Sequence, residues 1–207
     1  MTIVWIERIV RWLGGLLAYG TFAVILVGIW RGTHHQVGHS FGRAPSWLHS
    51  IWFYLITSMV FLGLCIIGWK PFPLKLSGIF LGATLVIGAL LYFPGLLLVL
   101  WGRLSLGRNY FTSTASGVQL FADHQLATNG PFAYLRHPMY LGLILAGFGS
   151  LLIFKTWTSL FFALFSPLVA FRAKREEQAL AAEFGEQYLD YCSQVPGWFP
   201  RLRKLRR

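Results

Sequence analysis

RHPMYLGLILAGFGSLLIFKTWTSLFFALFSPLVAFR, Arg136 to Arg172, holds two apolar runs of 17 and 16 residues, Pro138 to Phe154 and Thr156 to Phe171, parted by the single charge of Lys155. Each falls a little short of the roughly 20 residues with which a helix crosses a hydrocarbon core. The pair therefore reads as a tight helical hairpin that just reaches the far surface. Pro167 lacks a backbone donor and is expected to bend the second arm. Upstream lie three more uncharged runs: Trp12 to Trp30 between Arg11 and Arg31, Ile51 to Trp69, and Leu76 to Gly102 with Pro94 inside it. Tryptophans near the ends of these runs, among them Trp12, Trp30, Trp69, Trp101 and Trp157, suit the membrane interface. The chain is 56% hydrophobic and 12% charged, about half the charge fraction of a soluble domain. The expectation is an all-α integral membrane protein of about five transmembrane helices, the last two a short hairpin, followed by a cytosolic C-terminal helix. The first run lacks the short apolar core and small-residue cleavage site of a secretory signal, and it is read as a retained span.

Orientation follows from lysine and arginine, whose excess stays cytoplasmic. With five spans, thirteen of the eighteen fall on one side, including Arg31, Arg103, Arg108, Arg136, Arg172 and the ending RLRKLRR, Arg201 to Arg207. Five fall on the other: Arg8, Arg11, Lys70, Lys75 and Lys155. The segment from Arg103 to His137 and the whole tail are thus expected to face the cytosol together. The net charge of +11 is read as a topology signal that also attracts anionic membrane lipids, not as a nucleic-acid footprint. Cys65 and Cys192 suggest neither a disulfide framework nor a zinc motif. The chain shows no internal repeat and reads as one membrane unit, with residues 1–100 as a three-span scaffold and 101–207 as the part bearing the polar motifs.

Polar residues concentrate in three places. In the loop from Arg31 to His49, His34, His35, His39 and His49 lack cysteine or carboxylate companions, so an interfacial loop is favoured over a metal site. From Arg172 to Tyr191 the sequence reads as helix, with Arg172, Glu176, Leu180, Phe184 and Tyr188 recurring every four residues along one stripe. Two readings stand for Arg172 and Glu176: an exposed pair one turn apart, or charges carried inward by the apolar residues of the same stripe. In NGPFAYLRHPMYLG, Asn129 to Gly142, the first three residues make a turn and Pro138 suits the first position of a helix. Arg136 and His137 then meet the positive end of that helix, a poor place for cations unless an anion is bound there. Snorkelling of Arg136 to head-group phosphates is the alternative.

Three elements together, GPFAYLRHPMYLG at Gly130 to Gly142, REEQAL at Arg175 to Leu180 and FGEQYLDYCSQVP at Phe184 to Pro196, resemble the catalytic half of the isoprenylcysteine carboxyl methyltransferases and their bacterial relatives, within the wider phospholipid and isoprenylcysteine methyltransferase superfamily. The R-H-P-x-Y-x-G element matches Arg136, His137, Pro138, Tyr140 and Gly142; the paired glutamates match Glu176 and Glu177; LGRNY, Leu106 to Tyr110, is similar to the entry into this region. The resemblance covers roughly residues 101–200. It implies methyl transfer from S-adenosylmethionine, bound in a cytosol-facing pocket, to a lipophilic or prenylated acceptor entering from the bilayer, the carboxylate of an isoprenylcysteine-like substrate first, with an isoprenoid acid, a phospholipid amine or a small thiol left open. Carried over residue by residue, it places His137 and Tyr140 at the cofactor's polar end with Arg136 supporting the loop. Glu176 or Glu177 meets the cofactor's ammonium, Tyr188 lines the pocket, and Arg172, with Glu176, orients an anionic acceptor group. For Tyr188, packing at helical spacing is the alternative. Two other functions stay open from the residues: an NADPH-dependent membrane reductase of sterol-reductase type, and a non-enzymatic membrane protein in which the polar helix only packs. Gly147 and Gly149 lie inside an apolar run and read as helix packing, not as part of a nucleotide-binding turn.

Overall fold

A computed structural model describes residues 2–32, 37–42, 50–73, 76, 78–110, 117–121 and 124–199. His34, His35 and His49, the His39 side chain and the ending RLRKLRR lie outside what is described. Among the described residues there are seven α-helices: α1 (Thr2–Gly32), α2 (Ile51–Ile67), α3 (Gly78–Leu106), α4 (Pro138–Phe154), α5 (Trp157–Phe165), α6 (Val169–Phe184) and α7 (Glu186–Gln194). Two stretches, Ile3–Arg31 within α1 and Gly78–Leu106 in α3, are 29 residues each and long and apolar enough to cross a membrane. Large apolar side chains such as Trp12, Leu16, Met59, Ile66 and Phe80 stand exposed along the helices. Such a surface suits lipid rather than water, and the protein is a largely helical, membrane-associated chain.

The core forms where α3 and α4 touch backbone to backbone. A Cβ on Gly95 would sit 2.7 Å from the Gly142 oxygen, one on Gly142 would sit 2.5 Å from the Gly95 oxygen, and one on Gly149 would sit 2.5 Å from the Tyr92 nitrogen. Small residues thus let the two axes approach closely, and Tyr92, Leu96, Ala146, Ile153 and Phe154 interlock around the contact. Gly147 faces the other way, onto Ser166 and the Phe162 carbonyl, so α4 lies between α3 and α5. The expected packing role of Gly147 and Gly149 is what the structure shows.

Lys155, in a left-handed conformation at φ 54°, turns the chain between α4 and α5, and Thr156 caps α5 through a reciprocal bond with Ser159. Trp157 N donates to the Lys70 oxygen at 3.2 Å, and Phe72 N to the Lys155 oxygen at 2.9 Å. At this same end Lys155 Nζ lies 3.5 Å from Glu7, which pairs with Arg11 at 2.7 Å. Arg11 Nε also donates to the Ile153 oxygen at 3.2 Å. These contacts explain why α1 starts well before Trp12, where its uncharged run begins. Charges that neutralise one another one turn apart do not end a helix.

Three local departures from the sequence expectations stand out. The arm after Lys155 does not run as one bent helix: Ser166–Leu168 is a 3-10 turn at Pro167, after which α6 continues. The expected single helix from Arg172 to Tyr191 is two, because Gly185 takes φ 51° and breaks the ladder. Tyr188 therefore belongs to α7 and not to the stripe of Arg172 and Glu176. Finally, β1 (Val37–Gly42) and β2 (Gly117–Phe121) form an antiparallel ladder, pairing Gly42 with Gly117 and Val37 with Phe121. Two short, glycine-bounded strands far apart in the chain carry no period strong enough to announce that pairing.

Candidate active site

Asn129, Gly130 and Pro131 form the expected turn: Gly130 adopts φ 59° and Phe132 N donates to the Asn129 oxygen at 3.1 Å. Pro138 opens α4. Just before it, Arg136 N donates to the Pro196 oxygen at 2.9 Å and His137 N to the Gly197 oxygen at 3.1 Å. The segment after α7 therefore clamps the cationic pair in place, a role beyond that of a closing turn.

The anion that makes cations tolerable at this helix start comes from the chain itself. Glu177 on α6 accepts from His137 Nε2 at 2.8 Å and pairs with Arg136 Nη1 at 3.0 Å. His137 is 7% exposed, whereas the Glu177 and Arg136 side chains keep 31% and 21% of their surface. The His137 hydrogen bond foremost, with the charges of His137 and Arg136, holds the Glu177 carboxyl below its usual value despite partial burial. With the carboxylate ionised, Nε2 carries the shared proton. Burial works against the Arg136 guanidinium, yet Glu177, Cys192 and Tyr188 together more than offset it and the group is raised. Arg136 Nη1 also donates to Cys192 Sγ at 2.8 Å. Behind it Tyr188 is buried, and burial, then the nearby Glu177 charge, pushes its phenol up. Tyr191, pushed up to about 12 mainly by burial, donates to the Phe132 oxygen at 2.7 Å.

A second group adjoins the first. Tyr140, one turn into α4, donates to Glu176 Oε1, and its ring lies 5.9 Å from that of His137. The Arg172 guanidinium sits 5.9 Å from the Tyr140 ring centroid. Arg172 is raised: burial opposes its charge, but the neighbouring Tyr140, Glu176 and Tyr110 outweigh that cost. The inward reading of Arg172 and Glu176 is thus the one the structure adopts. All six motif residues outside α7, Arg136, His137, Tyr140, Arg172, Glu176 and Glu177, converge where the start of α4 meets α6.

Arg103 belongs to none of the sequence motifs. It is 7% exposed near the end of α3, its guanidinium 4.3 Å from the Tyr110 ring and its Nη1 donating to the Gly107 oxygen at 3.3 Å. Gly28 on α1 makes room for it, since a Cβ there would stand 1.8 Å from Arg103 Nη2. Burial pushes the Tyr110 phenol up, with the charges of Arg172 and Arg103 only partly offsetting it. Two guanidiniums, Arg103 in contact and Arg172 at longer range, therefore act on one half-buried tyrosine. The available signal was the position of Arg103 itself, a charge at the end of a long apolar run.

Residues 83–187 match the family described as phospholipid methyltransferase. Protein-S-isoprenylcysteine O-methyltransferase of Schizosaccharomyces pombe is 34% identical over 39% of this chain and 35% of that one. The cobalt-zinc-cadmium resistance protein CzcN of Cupriavidus metallidurans is 34% identical over 41% of this chain and 39% of that one. The chain thus spans little more than a third of these curated relatives. A solved structure of the eukaryotic intramembrane Ras methyltransferase, isoprenylcysteine carboxyl methyltransferase, aligns with a TM-score of 0.46 and 23% identity, over 77% of this chain and 57% of that one.

Proposed function

The chain belongs to the phospholipid methyltransferase family, and on that premise we propose that it methylates a lipophilic acceptor from S-adenosylmethionine, with the carboxylate of an isoprenylcysteine-like substrate as the favoured acceptor. The observation that carries the proposal is the convergence of Arg136, His137 and Glu177 with Tyr140, Glu176 and Arg172 around the start of α4. The donor set suits the cofactor. Its amino-acid end bears one carboxylate and one ammonium, and Arg136 and Glu177 present a guanidinium and a carboxylate side by side, both partly accessible. His137, held by Glu177, and Tyr140, held to Glu176, keep those groups oriented. S-adenosylmethionine supplies, when bound, an activated sulfonium methyl.

The acceptor's charge is decided by the other half of the site. Around Tyr110 the two guanidiniums of Arg172 and Arg103 outnumber the single carboxylate of Glu176, a balance that favours an anionic acceptor group over the ammonium of a lipid amine. A carboxylate is already ionised at neutral pH, so the protein needs no general base. Its residues contribute by holding the acceptor in line and limiting water around it.

Five membrane passes, with α4 and α5 as the short hairpin, and a site facing the cytosol belong to the same proposal, as does the division into a scaffold of residues 1–100 and a catalytic part of residues 101–207. The orientation is supported by the excess of lysine and arginine at the site's end of the helices. Glu7, Arg11, Lys70 and Lys155 cluster at the other end. The test is calorimetric titration of the purified full chain with S-adenosylmethionine, its demethylated product and NADPH, followed by transfer of labelled methyl to lipophilic acids, amines and thiols. Binding of the first two and labelling of an acid are expected. Binding of NADPH alone would move the protein to the reductase reading, and binding of none would sink the proposal.

A further inference from the structure

α2 lies outside the stretch that matches the family and has no fully buried residue from Trp52 to Ile67. Its half-buried positions nevertheless include Tyr54, Ser58, Phe61, Cys65 and Gly68, a spacing of four and three that keeps them on one face. The C-terminal part of this face is seated on α5. Thr158 Oγ1 donates to the Cys65 oxygen at 2.7 Å, Thr158 N to the Gly68 oxygen at 3.0 Å, and the rings of Phe61 and Phe162 meet edge to face at 5.6 Å.

α2 and α5 run antiparallel, so each step back along α2 matches a step forward through α5, the 3-10 turn and α6. Seven residues back from Phe61 is Tyr54; seven on from Phe162 is Val169. Arg172 lies one turn further, and a helical side chain tilts towards its own N-terminus, which brings its guanidinium back to the level of Tyr54. Tyr54 is also near enough to Arg172 and Tyr110 to bear weakly on the charge of both, in keeping with this register.

We propose that Tyr54 is a specificity-determining residue for the acceptor, its hydroxyl donating to the anionic group that Arg172 holds, so that a helix outside the family-matched stretch helps select which lipophilic anions are methylated. The proposal rests on the methyltransferase reading above. A carboxylate that accepts parallel donors from Arg172 keeps further lone pairs, one of which the phenol of Tyr54 would fill.

The test is Tyr54→Phe in the full chain, which removes one oxygen and keeps the ring. The probes are a farnesyl thioether carrying a carboxylate and its amine counterpart. Equilibrium binding of the carboxylate probe without cofactor should weaken about tenfold, the loss expected for one hydrogen bond to a charged group. In the methyl-transfer assay KM for that probe should rise by a similar factor with kcat within about twofold. Binding of S-adenosylmethionine and resistance to unfolding should stay as in the wild type, and any turnover of the amine should be unaffected. Unchanged Kd and KM for the carboxylate in Tyr54→Phe would overturn the proposal, and so would an Arg172→Lys variant that raises neither. So would equal losses for carboxylate and amine, or failure of the wild type to bind the carboxylate probe. Probe binding that depends on Tyr54 without any methyl transfer would instead count against the methyltransferase reading while leaving the Tyr54 contact standing.

Discussion

Replacing Gly142 by alanine places a methyl group 2.5 Å from the Gly95 carbonyl oxygen and 3.0 Å from the Val99 nitrogen. Both obstacles are backbone, so no side-chain rotation relieves them. Restoring an ordinary carbon–oxygen contact of about 3.3 Å requires α3 and α4 to part by roughly 0.8 Å. A gap of that size forfeits a quarter to a half of the attraction between facing atoms, and the atoms concerned belong to the core around Tyr92, Leu96, Ala146 and Ile153. The expected cost is about 1–3 kcal/mol. Gly63, inside α2, has nothing within 4 Å of an added Cβ, and there alanine should stabilise by about 0.5–1 kcal/mol through helix propensity alone. Unfolding by SDS in mixed micelles, followed by circular dichroism, compares the two in one background. The variants should move in opposite directions, and Gly142→Ala should also weaken cofactor binding because Tyr140 sits on the adjoining turn. A Gly142→Ala protein as resistant as the wild type would refute the idea that backbone contact between α3 and α4 organises the site.

Other consequences can be checked separately. Because Glu177 is held below its ordinary value of 4.5, the stability it contributes is whole above that pH and is lost as pH falls through the lower folded value. The difference between wild type and Glu177→Gln should shrink as pH falls below about 4.5; a difference that stays constant or grows through that acid range would contradict the assignment. Tyr140→Phe removes the hydroxyl that donates to Glu176 and should weaken S-adenosylmethionine binding about tenfold in a calorimetric titration while the protein stays folded. Gly28→Ala drives a methyl into the Arg103 guanidinium and off the Tyr110 ring, so KM for an anionic acceptor should rise roughly three- to thirtyfold with cofactor affinity unchanged.

Much of the site was legible before the structure because its residues lie within short windows. Arg136, His137 and Tyr140 sit in one turn-plus-helix signature, and Glu176 and Glu177 are neighbours. Which acidic residue faces which partner was not legible: Glu177 meets Arg136 and His137 whereas Glu176 meets Tyr140. That split follows from the rotation of α6 against α4. Tyr188 was assigned to the wrong helix because a four-residue stripe continues on paper through Gly185, where the backbone turns at φ 51°. Arg103 escaped notice for the opposite reason. It belongs to no local pattern, and only Gly28, on a helix distant in sequence, leaves space for it.

The amino-acid sequence alone determined the apolar runs, their breaks at Lys155 and Pro167, the turn at Gly130 and the start of α4 at Pro138. Each depends on the properties of residues a few positions apart. Only the tertiary structure decided that α1 reaches back to a charged cluster with Lys155, that β1 pairs with β2, and that Arg103, Arg172 and Tyr110 share one end. Those outcomes hinge on the depth and register at which α3 and α4 meet, set by glycines where a Cβ would stand only 2.5–2.7 Å from the facing backbone, a precision that hydrophobic periodicity does not carry.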